Sequence, residues 1–218
     1  MDMAPPWSTR LEQLARTVRA GIPVFLSRDA ALVKTKEEVR LAVARRIASL
    51  PPAVRQESDR LIDRQLRTLA VLNNATAVVG YLALADEVDV GRFLDYRREC
   101  GSRIYLPSGI GAHACFREWR HEEELVRGET GGFEPDPSAS ELEDESVMLV
   151  PGRAFDGSLA RLGRGGGWYD RVLAGRGERD LLVGVSYSCQ LVAAVPVEAH
   201  DKRMELLVSE QQLLVAGT

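Results

Sequence analysis

The sequence contains little cysteine and no long apolar run, and each shortage excludes a class of protein. Its three cysteines, Cys100, Cys115 and Cys189, are odd in number and widely spaced, so a disulfide framework is not expected and a reducing compartment is favoured. Polar residues interrupt every apolar stretch before the ~18 residues that a membrane-spanning helix needs. Residues 1–21 lack the apolar core of a signal peptide. The sequence therefore predicts a cytoplasmic protein that does not bind membranes.

An excess of positive charge is also missing. Lysine and arginine together number 28 against 32 aspartates and glutamates, which gives a net charge of -4. General nucleic-acid binders need surplus positive charge to neutralise phosphates, so we expect no nucleic-acid partner. The balance still leaves room for a local basic pocket that binds a polyphosphate. With 218 residues, 45% of them hydrophobic, the chain is long enough for one domain with a real core.

Three helical patterns occupy the N-terminal third of the chain. The first begins after Ser8 or Thr9. The second follows a capping box formed by Thr35 and Glu38 and stops at two prolines. The third runs from about residue 58 to residue 72, with apolar residues at helical spacing.

After residue 74 the pattern changes to apolar strands. Four segments have the composition of buried strands: TAVVGYLAL, SRIYLP, SVMLVP and LLVGVSY. A short helix between the first two predicts a parallel crossover, and the polar stretch GETGGFEPDPSASELEDES predicts a surface loop. The expected fold is α/β, a single domain with a mostly parallel sheet covered by helices on both faces in a Rossmann-like three-layer arrangement.

The segment RLGRGGGWYD, residues 161–170, is unusually rich in glycine. Its glycines are Gly163, Gly165, Gly166 and Gly167. Glycine is costly in ordered structure, so this density indicates a backbone that approaches a ligand closely and presents N–H groups to an anion. Arg161 and Arg164 add charged, forked donors suited to phosphate oxygens.

This glycine-rich loop matches neither common phosphate-binding template. The GxxxxGK[ST] motif is absent, and Trp168 stands where GxGxxG requires its third glycine. A flexible surface loop is therefore an equal alternative on composition alone. The neighbouring Trp168 and Tyr169 favour a binding site, because disordered segments seldom contain aromatic residues.

Charged residues elsewhere have two interpretations each. Lys36 and Arg40 lie four positions apart and share a helix face, which suits phosphates but is more typical of a solvated surface. Asp86, Glu87 and Asp89 follow a predicted strand, where parallel sheets bind ligands, but acids are also common in turns.

Two further carboxylates, Asp170 and Asp201, could hold Mg²⁺ beside a polyphosphate. The residues alone do not single out this pair among the 32 acidic residues.

Four segments, taken in chain order, resemble the 5-formyltetrahydrofolate cyclo-ligase family. PGRAFDGSLARLGRGGGWYDRVLA is similar to the family's PG-x-x-F-D…R-L-G-x-G-x-G-Y-Y-D signature. KTKEEVR resembles the family's early K-x-x-x-R motif, and YLALADEVDV resembles its D-E segment at a strand end. QLVAAVPVEAHD resembles the family's C-terminal Q…P-x-x-x-x-D motif. The chain departs from the family at three positions. Trp168 stands where the family usually has tyrosine, and Gly166 stands where some members have lysine. Glu205 replaces an aspartate near the end of the family sequence.

The resemblance implies a role for each matching position. It implies ATP binding by Lys36, Arg40, Arg161, Leu162, Gly163, Arg164, Gly165, Gly166, Gly167, Trp168 and Tyr169. It implies folate binding by Leu82, Glu87, Arg164 and Trp168. It implies Mg²⁺ binding by Asp170 and Asp201, and catalytic roles for Arg164, Trp168 and Tyr169.

The implied reaction converts 5-formyltetrahydrofolate and MgATP into 5,10-methenyltetrahydrofolate, ADP and phosphate through an iminium phosphate intermediate. The resemblance places the catalytic domain at residues 34–218, preceded by a partly helical extension over residues 1–33, and we expect a monomer or weak homodimer. Two alternatives remain: a non-catalytic relative that binds nucleotide or folate in a regulatory role, and an unrelated small-molecule kinase. The kinase is the weaker alternative because no kinase motif is present.

Overall fold

A computed structural model of the chain describes residues 7, 9, 11–14, 35–121, 124–129, 131–176, 180–198 and 201–216. Residues 11–14 are helical, and Leu11 is buried in the main core. The rest of the predicted first helix, and most of the predicted extension over residues 1–33, lie outside the described residues. Within the described ranges, no helix combines the length and the apolar character needed to cross a bilayer.

The structure contains the helices that the sequence signals predict, and the predicted start of the first of them is correct. They are α1 Lys36–Ala48, α2 Pro52–Thr68, α3 Ala70–Asn73, α4 Gly91–Glu99 and α5 Trp168–Ala174. The capping box before α1 is confirmed: the Thr35 N–H donates to the Glu38 carboxylate at 2.7 Å, and the Glu38 N–H donates to the Thr35 hydroxyl at 3.2 Å.

Helix α2 differs from the prediction at both ends. It begins at Pro52, six positions before the predicted start. Proline suits the first turn of a helix, because backbone N–H groups there make no hydrogen bond within the helix and proline lacks an N–H. It ends at Thr68, and Leu69, with an extended ψ of 104°, separates it from α3. The predicted single helix is therefore two helices.

Each of the four predicted apolar segments contains one strand, and the described residues contain eight further strands. They are β1 Ala77–Val79, β2 Arg103–Ser108, β3 Cys115–Glu118, β4 Leu125–Arg127, β5 Phe133–Pro135, β6 Val147–Pro151, β7 Ala154–Asp156, β8 Arg161–Leu162, β9 Leu181–Val185, β10 Leu191–Val192, β11 Leu206–Val208 and β12 Leu213–Val215. Strand β5 falls in the stretch predicted as a surface loop, and that prediction is wrong there because β5 pairs with β4 in an antiparallel hairpin.

Seven strands form one large sheet in the order β12-β11-β9-β6-β1-β2-β3. The five central strands are parallel to one another, and the two edge strands are antiparallel. The predicted crossover is confirmed, since β1 and β2 pair in parallel with α4 between them. A smaller sheet has the order β10-β7-β8. The predicted α/β fold with a mostly parallel sheet is thus confirmed.

The two faces of the large sheet have different covers. One face packs against α1, α2 and α4, whose Val43, Leu66 and Phe93 are fully buried in the main core. The opposite face packs against Phe155 and Leu173, and α5 supplies its helical cover among the described residues. A seven-residue helix is a thin third layer, so the predicted three-layer arrangement is only partly met.

Candidate active site

A cavity of about 310 Å³ opens beyond the carboxyl ends of β1, β2 and β6. This is where ligands collect in parallel α/β sheets, because the loops that follow the strands converge there. The strand ends contribute Tyr81, Leu82, Leu84 and Glu87, residues 106–110 and residues 151–152 to its wall, and the hairpin of β4 and β5 contributes residues 132–134. The remaining wall comes from the glycine-rich loop: Arg161, Gly163, Arg164, Gly166, Gly167, Trp168, Tyr169 and Asp170.

Two glycines of this loop are required by the backbone. Gly165 has φ of +109° and Gly167 has φ of +65°, a region that side chains disfavour. Gly167 is also the residue that precedes α5. Gly166 has neither constraint, since nothing lies within 4 Å of a Cβ added there. The loop therefore needs glycine for its turn geometry at positions 165 and 167.

Arg161 is the buried cation of the cavity wall. Its side chain is only 4% exposed and forms an ion pair with Asp170, and it also donates to the carbonyl of Pro151 at 3.3 Å. The guanidinium lies 5.5 Å from the ring centre of Tyr169. Arg161 thus links the start of the loop to α5 and to the end of β6.

Tyr169 places its hydroxyl in a buried position, where it has no hydrogen-bond partner among the described residues. Burial raises the pKa of this phenol well above its usual value, so Tyr169 is neutral and keeps its proton at physiological pH. A buried phenol without a partner is uncommon in folded proteins. Because the residue lines the cavity, a ligand that enters can supply the missing acceptor or donor.

Arg164 reaches across the cavity to the carboxylates that follow β1. Its Nη1 and Nη2 donate to Oδ1 of Asp86 at 2.9 and 2.5 Å, and its Nε lies 3.6 Å from Oε1 of Glu87. Burial raises the pKa of Glu87, whose side chain is only 10% exposed. The other oxygen of Asp86 accepts from Nη1 of Arg153 at 2.6 Å.

The segment that carries Glu87 is held by two buried tyrosines. The Tyr81 hydroxyl donates to the carbonyl of Val88 at 3.0 Å. The Tyr187 hydroxyl lies 2.9 Å from Oδ1 of Asp59 and 3.2 Å from the carbonyl of Glu87. Burial raises the pKa of both phenols, so both remain protonated donors. These contacts fix the backbone carbonyls of Glu87 and of the residue that follows it.

Trp168 joins the glycine-rich loop to the segment after β2. Its indole Nε1 donates to the carbonyl of Gly109 at 2.8 Å. The indole packs edge-on against Phe116 and Tyr169, with ring centres 5.3 and 5.1 Å away. The residue that replaces the family's usual tyrosine therefore keeps an aromatic surface and donates a hydrogen bond to a neighbouring loop.

The mouth of the cavity is apolar and solvent-accessible. Leu82, Leu84, Ile110 and Phe133 line it and are 37 to 56% exposed. Exposed apolar side chains grouped in a cavity are typical of ligand-binding sites. The hairpin that carries Phe133 is tied to the wall by Glu134, which accepts from the Gly109 N–H at 2.9 Å.

Arg40 contacts the glycine-rich loop from outside the cavity wall, and Lys36 and Asp201 pair with each other outside that wall. Arg40 donates from Nε to the carbonyl of Gly163 at 3.0 Å. Lys36 Nζ lies 2.8 Å from Glu198 and 3.5 Å from Asp201. The hydrogen bond to Glu198 is the main cause of the raised pKa of Lys36. Of the two cations predicted from the early motif, Arg40 is thus next to the loop, 123 residues from Gly163 in sequence, and Lys36 pairs with Glu198 and Asp201.

The structure brings most of the predicted site residues together and separates a few. Leu82, Glu87 and the loop residues other than Gly165 and Leu162 line one cavity. Leu162 is an exception, because its side chain is buried in the main core. Asp170 and Asp201 each pair with a different cation, Arg161 and Lys36. In the described part of the chain, no three Asp, Glu, His or Cys residues cluster into a ready metal site.

Several residues in and around the cavity cannot be singled out from the sequence alone. Phe133 lines the cavity wall, whereas Asp86, Arg153 and Tyr187 lie outside it, and in the sequence Asp86 is only one of three turn acids. The chain offers one signal for Arg153, a cation directly after the Pro-Gly that ends β6. Phe133 lies within a polar stretch, so only the hairpin geometry brings it to the cavity.

Comparison with known proteins gives one consistent family. Residues 32–210 match the family model described as "5-formyltetrahydrofolate cyclo-ligase family". A 5-formyltetrahydrofolate cyclo-ligase of Mycolicibacterium smegmatis is 30% identical, over 84% of this chain and 97% of its own length. The Escherichia coli protein of the same name is 28% identical, over 78% of this chain and 98% of its own.

A solved structure agrees in fold and in family. The NMR structure of Aquifex aeolicus 5,10-methenyltetrahydrofolate synthetase matches 84% of this chain and 93% of its own, with a TM-score of 0.73 and 27% identity. The predicted enzyme class, a ligase of folate one-carbon metabolism, is confirmed by these matches. The chain belongs to the 5-formyltetrahydrofolate cyclo-ligase family.

Proposed function

We propose that this chain uses ATP to close 5-formyltetrahydrofolate to 5,10-methenyltetrahydrofolate in the cavity described above. Family membership supports the reaction, and the geometry supports the place. The observation that carries the proposal is the juxtaposition of Arg164 with Glu87 and the glycine-rich loop in one cavity. That arrangement puts a phosphate-binding cation within reach of a carboxylate that can bind a pterin.

The folate is proposed to enter through the apolar mouth. Leu82 and its exposed neighbours offer apolar contact to a planar ring system. Glu87 is proposed to accept hydrogen bonds from pterin N–H groups, because its carboxylate is held in place by the Leu84 N–H at 3.0 Å. Trp168 and Tyr169 then face the formyl group from the loop side.

The triphosphate is proposed to bind along the glycine-rich loop between the cavity and α1. Backbone N–H groups of residues 163–167 suit phosphate oxygens, since glycine permits their close approach. Arg40 contacts the loop from α1, and Lys36 lies on the same helix, one turn before Arg40, so both can neutralise charge on the outer phosphates. Arg161 contributes from the inner side. Leu162 can contribute only its backbone, since its side chain is in the core.

The chemistry needs activation of a poor leaving group. The formyl oxygen attacks the γ-phosphorus, the bond to ADP breaks, and an iminium phosphate forms. N10 then attacks the formyl carbon, the carbon–oxygen bond breaks, and phosphate leaves as N10 loses its proton. Phosphoryl transfer mainly requires positioning and neutralisation of charge on the phosphoryl oxygens. Arg164 is the residue placed to do both.

Asp170 and Asp201 are proposed to hold Mg²⁺ when nucleotide is bound. Mg²⁺ takes one or two protein carboxylates together with water and substrate phosphates, so a cluster of three acids is not needed. Asp170 lines the cavity beside the loop, and Asp201 lies beside Lys36, so both fit as oxygen donors near the proposed phosphates. Bound there, the ion would neutralise phosphate charge and orient the triphosphate.

The departure at Trp168 is compatible with this proposal. None of the steps above needs a phenol hydroxyl at position 168, because proton transfer is not assigned to that residue. The indole retains the aromatic surface and adds a hydrogen bond to Gly109. We also propose that residues 34–218 form the catalytic domain.

A direct absorbance assay tests the proposal. The purified chain, 5-formyltetrahydrofolate and MgATP should give the absorbance of the methenyl product together with one ADP per turnover. Binding of both ligands without product would favour the regulatory alternative. ADP release with a phosphorylated compound that persists would favour a kinase. Either result would overturn the proposed activity.

A further inference from the structure

We infer that Arg153 is a positioning residue that holds Arg164, through Asp86, in the orientation that phosphoryl transfer requires. Arg153 stands at one of the unspecified positions of the PG-x-x-F-D signature, and nothing in the signature assigns it a role. The inference rests on the proposed function, because that function gives Arg164 its task.

The backbone of Arg153 is firmly fixed. Its N–H donates to the carbonyl of Leu162 at 2.7 Å, next to the glycine-rich loop. Its carbonyl accepts from Nε2 of Gln190 at 3.3 Å, and the same amide donates to Gly152 at 2.7 Å. Gln190 is itself buried. The arginine side chain is 13% exposed, so it projects from a rigid base through a mostly buried path.

Asp86 divides its two oxygens between two arginines. Oδ2 accepts from Nη1 of Arg153 at 2.6 Å. Oδ1 accepts from both terminal nitrogens of Arg164 at 2.9 and 2.5 Å. A carboxylate held at one oxygen cannot rotate freely about its Cβ–Cγ bond, so Arg153 fixes the plane in which Asp86 receives Arg164.

Arg164 needs such support because its own surroundings are open. Its side chain is 36% exposed, and it is followed by glycines at 165–167. A long, exposed side chain in a glycine-rich segment samples many rotamers unless a partner selects one. Fixed donors aimed at developing charge contribute more to catalysis than mobile ones, because they need no reorganisation during the reaction.

Arg153 acts through Asp86 and not on the phosphate itself. Asp86 also stays outside the cavity wall, whereas Arg164 and Glu87 are in it. The order of contacts runs from Gln190 to Arg153, then to Asp86, and ends at Arg164. Arg153 therefore belongs to the support of the site.

The test compares Arg153→Ala and Arg153→Lys in the unchanged chain and in Arg164→Ala. Arg103→Ala is the matched control, since Arg103 pairs with Asp144 at 2.5 Å outside the cavity. Arg153→Ala should lower kcat about tenfold, less than the roughly 10²-fold of a 1 Å misplacement because Asp86 remains. Lysine should restore most of kcat, because one N–H contact reaches Asp86. Both KM values should change little.

The double variant Arg153→Ala/Arg164→Ala tests whether Arg153 acts through Arg164. In the Arg164→Ala background, Arg153→Ala should cause no further loss, since there is nothing left to position. An additional full loss in that background would overturn the inference. So would an unchanged kcat in Arg153→Ala when Arg164→Ala itself is impaired. If Arg153→Ala fails to fold, Asp86→Asn takes its place and should lower kcat by at least the same factor.

Failure of the proposed function looks different. If Arg164→Ala alone leaves kcat unchanged, Arg164 has no catalytic role, and the inference about Arg153 is wrong as well. If Arg164→Ala is impaired and only the Arg153 variants are unaffected, the proposed function stands and this inference alone is wrong.

Discussion

The two sides of the glycine-rich loop hold their charges in different ways. On the cavity side, Arg153, Arg164 and Asp86 form a chain of short contacts that ends beside Glu87. On the α1 side, Lys36 contacts a Glu198 carboxylate that is 56% exposed.

This difference suggests two tasks: the cavity side positions Arg164, and the α1 side binds the phosphates of ATP. Surface ion pairs contribute little to stability, since solvent screens them, so Lys36 can exchange its partners for phosphate at small cost. The bridged carboxylate on the cavity side keeps Arg164 in one orientation before any ligand arrives. We therefore expect variants on the α1 side to affect mainly ATP binding and variants on the cavity side to affect mainly turnover.

The largest expected effect comes from Arg164→Ala on the cavity side. Loss of a fixed charge-stabilising donor should lower kcat about 10²-fold or more, measured as steady-state formation of the methenyl product. Arg60→Ala is the control, because Arg60 pairs with Glu57 on the surface of α2. A kcat close to that of the unchanged chain would remove Arg164 from the mechanism.

On the α1 side, Lys36→Ala should raise the KM for ATP about tenfold, the loss expected for one charge-assisted hydrogen bond. The KM for the folate should stay the same, because Lys36 is outside the cavity. Arg45→Ala provides the control, as an exposed cation on the same helix. Equal changes in both KM values would contradict the separation of the two sides.

At the cavity mouth, Phe133→Ala should have the opposite selectivity. Removing a ring that lines the mouth should raise the KM for the folate about fivefold, by loss of apolar contact, and leave the KM for ATP unchanged. Leu41→Ala controls for loss of an exposed apolar side chain, since Leu41 is 52% exposed and away from the cavity. A rise in the KM for ATP alone would place the nucleotide at the mouth.

Asp170→Asn tests where the metal belongs. Loss of one carboxylate ligand should raise the Mg²⁺ concentration needed for half-maximal rate about threefold, a modest effect because phosphates and water supply the other ligands. Asp144→Asn is the control, an acid paired with an arginine away from the cavity. An unchanged Mg²⁺ titration would rule out Asp170 as a ligand.

Glu205 gives the fold a pH dependence that must be separated from that of the site. Burial between β9 and β11 raises the pKa of Glu205 to about 7 from 4.5, and its Oε2 accepts from the Leu182 N–H at 2.7 Å. The folded state therefore binds a proton more tightly than the unfolded state. The contribution of protonated Glu205 to the free energy of unfolding is full below about pH 4.5 and is lost as the pH rises through about 7.

Urea unfolding at pH 5.5 and pH 8 measures this effect. The free energy of unfolding should fall by on the order of 1 kcal/mol more in the unchanged chain than in Glu205→Gln, allowing for partial screening. The reverse sign would show that the carboxylate is stabilised in its charged form. Kinetic pH profiles of the two loop sides are best compared in the Glu205→Gln background.

Sequence patterns predicted the fold well where one rule governs one element. The capping box at Thr35 and Glu38 set the start of α1, and the apolar segments set β2, β6 and β9. The prediction failed where tertiary contacts decide. Residues 133–135 became a strand because they pair with residues 125–127, and no local pattern in a polar stretch reveals such a partner.

The candidate site divides in the same way. The glycine-rich loop could be recognised from the local sequence, because the positive φ angles at positions 165 and 167 require glycine there. The contacts of Asp86 with Arg153 and Arg164 join positions 67 and 78 residues apart, and only the topology of the sheet brings them together. The resemblance to the family associated Arg40 with the loop, which Arg40 contacts in the structure, although the spacing of the residues alone does not reveal that contact.

Position 166 is the adjustable place in an otherwise constrained loop. Its Cβ would point into open space, and its φ is not in the left-handed region. A side chain can therefore be added at this point without bending the chain or displacing a neighbour. A lysine, the residue that some members of the family carry here, can be introduced at this position while the turn on either side keeps its shape.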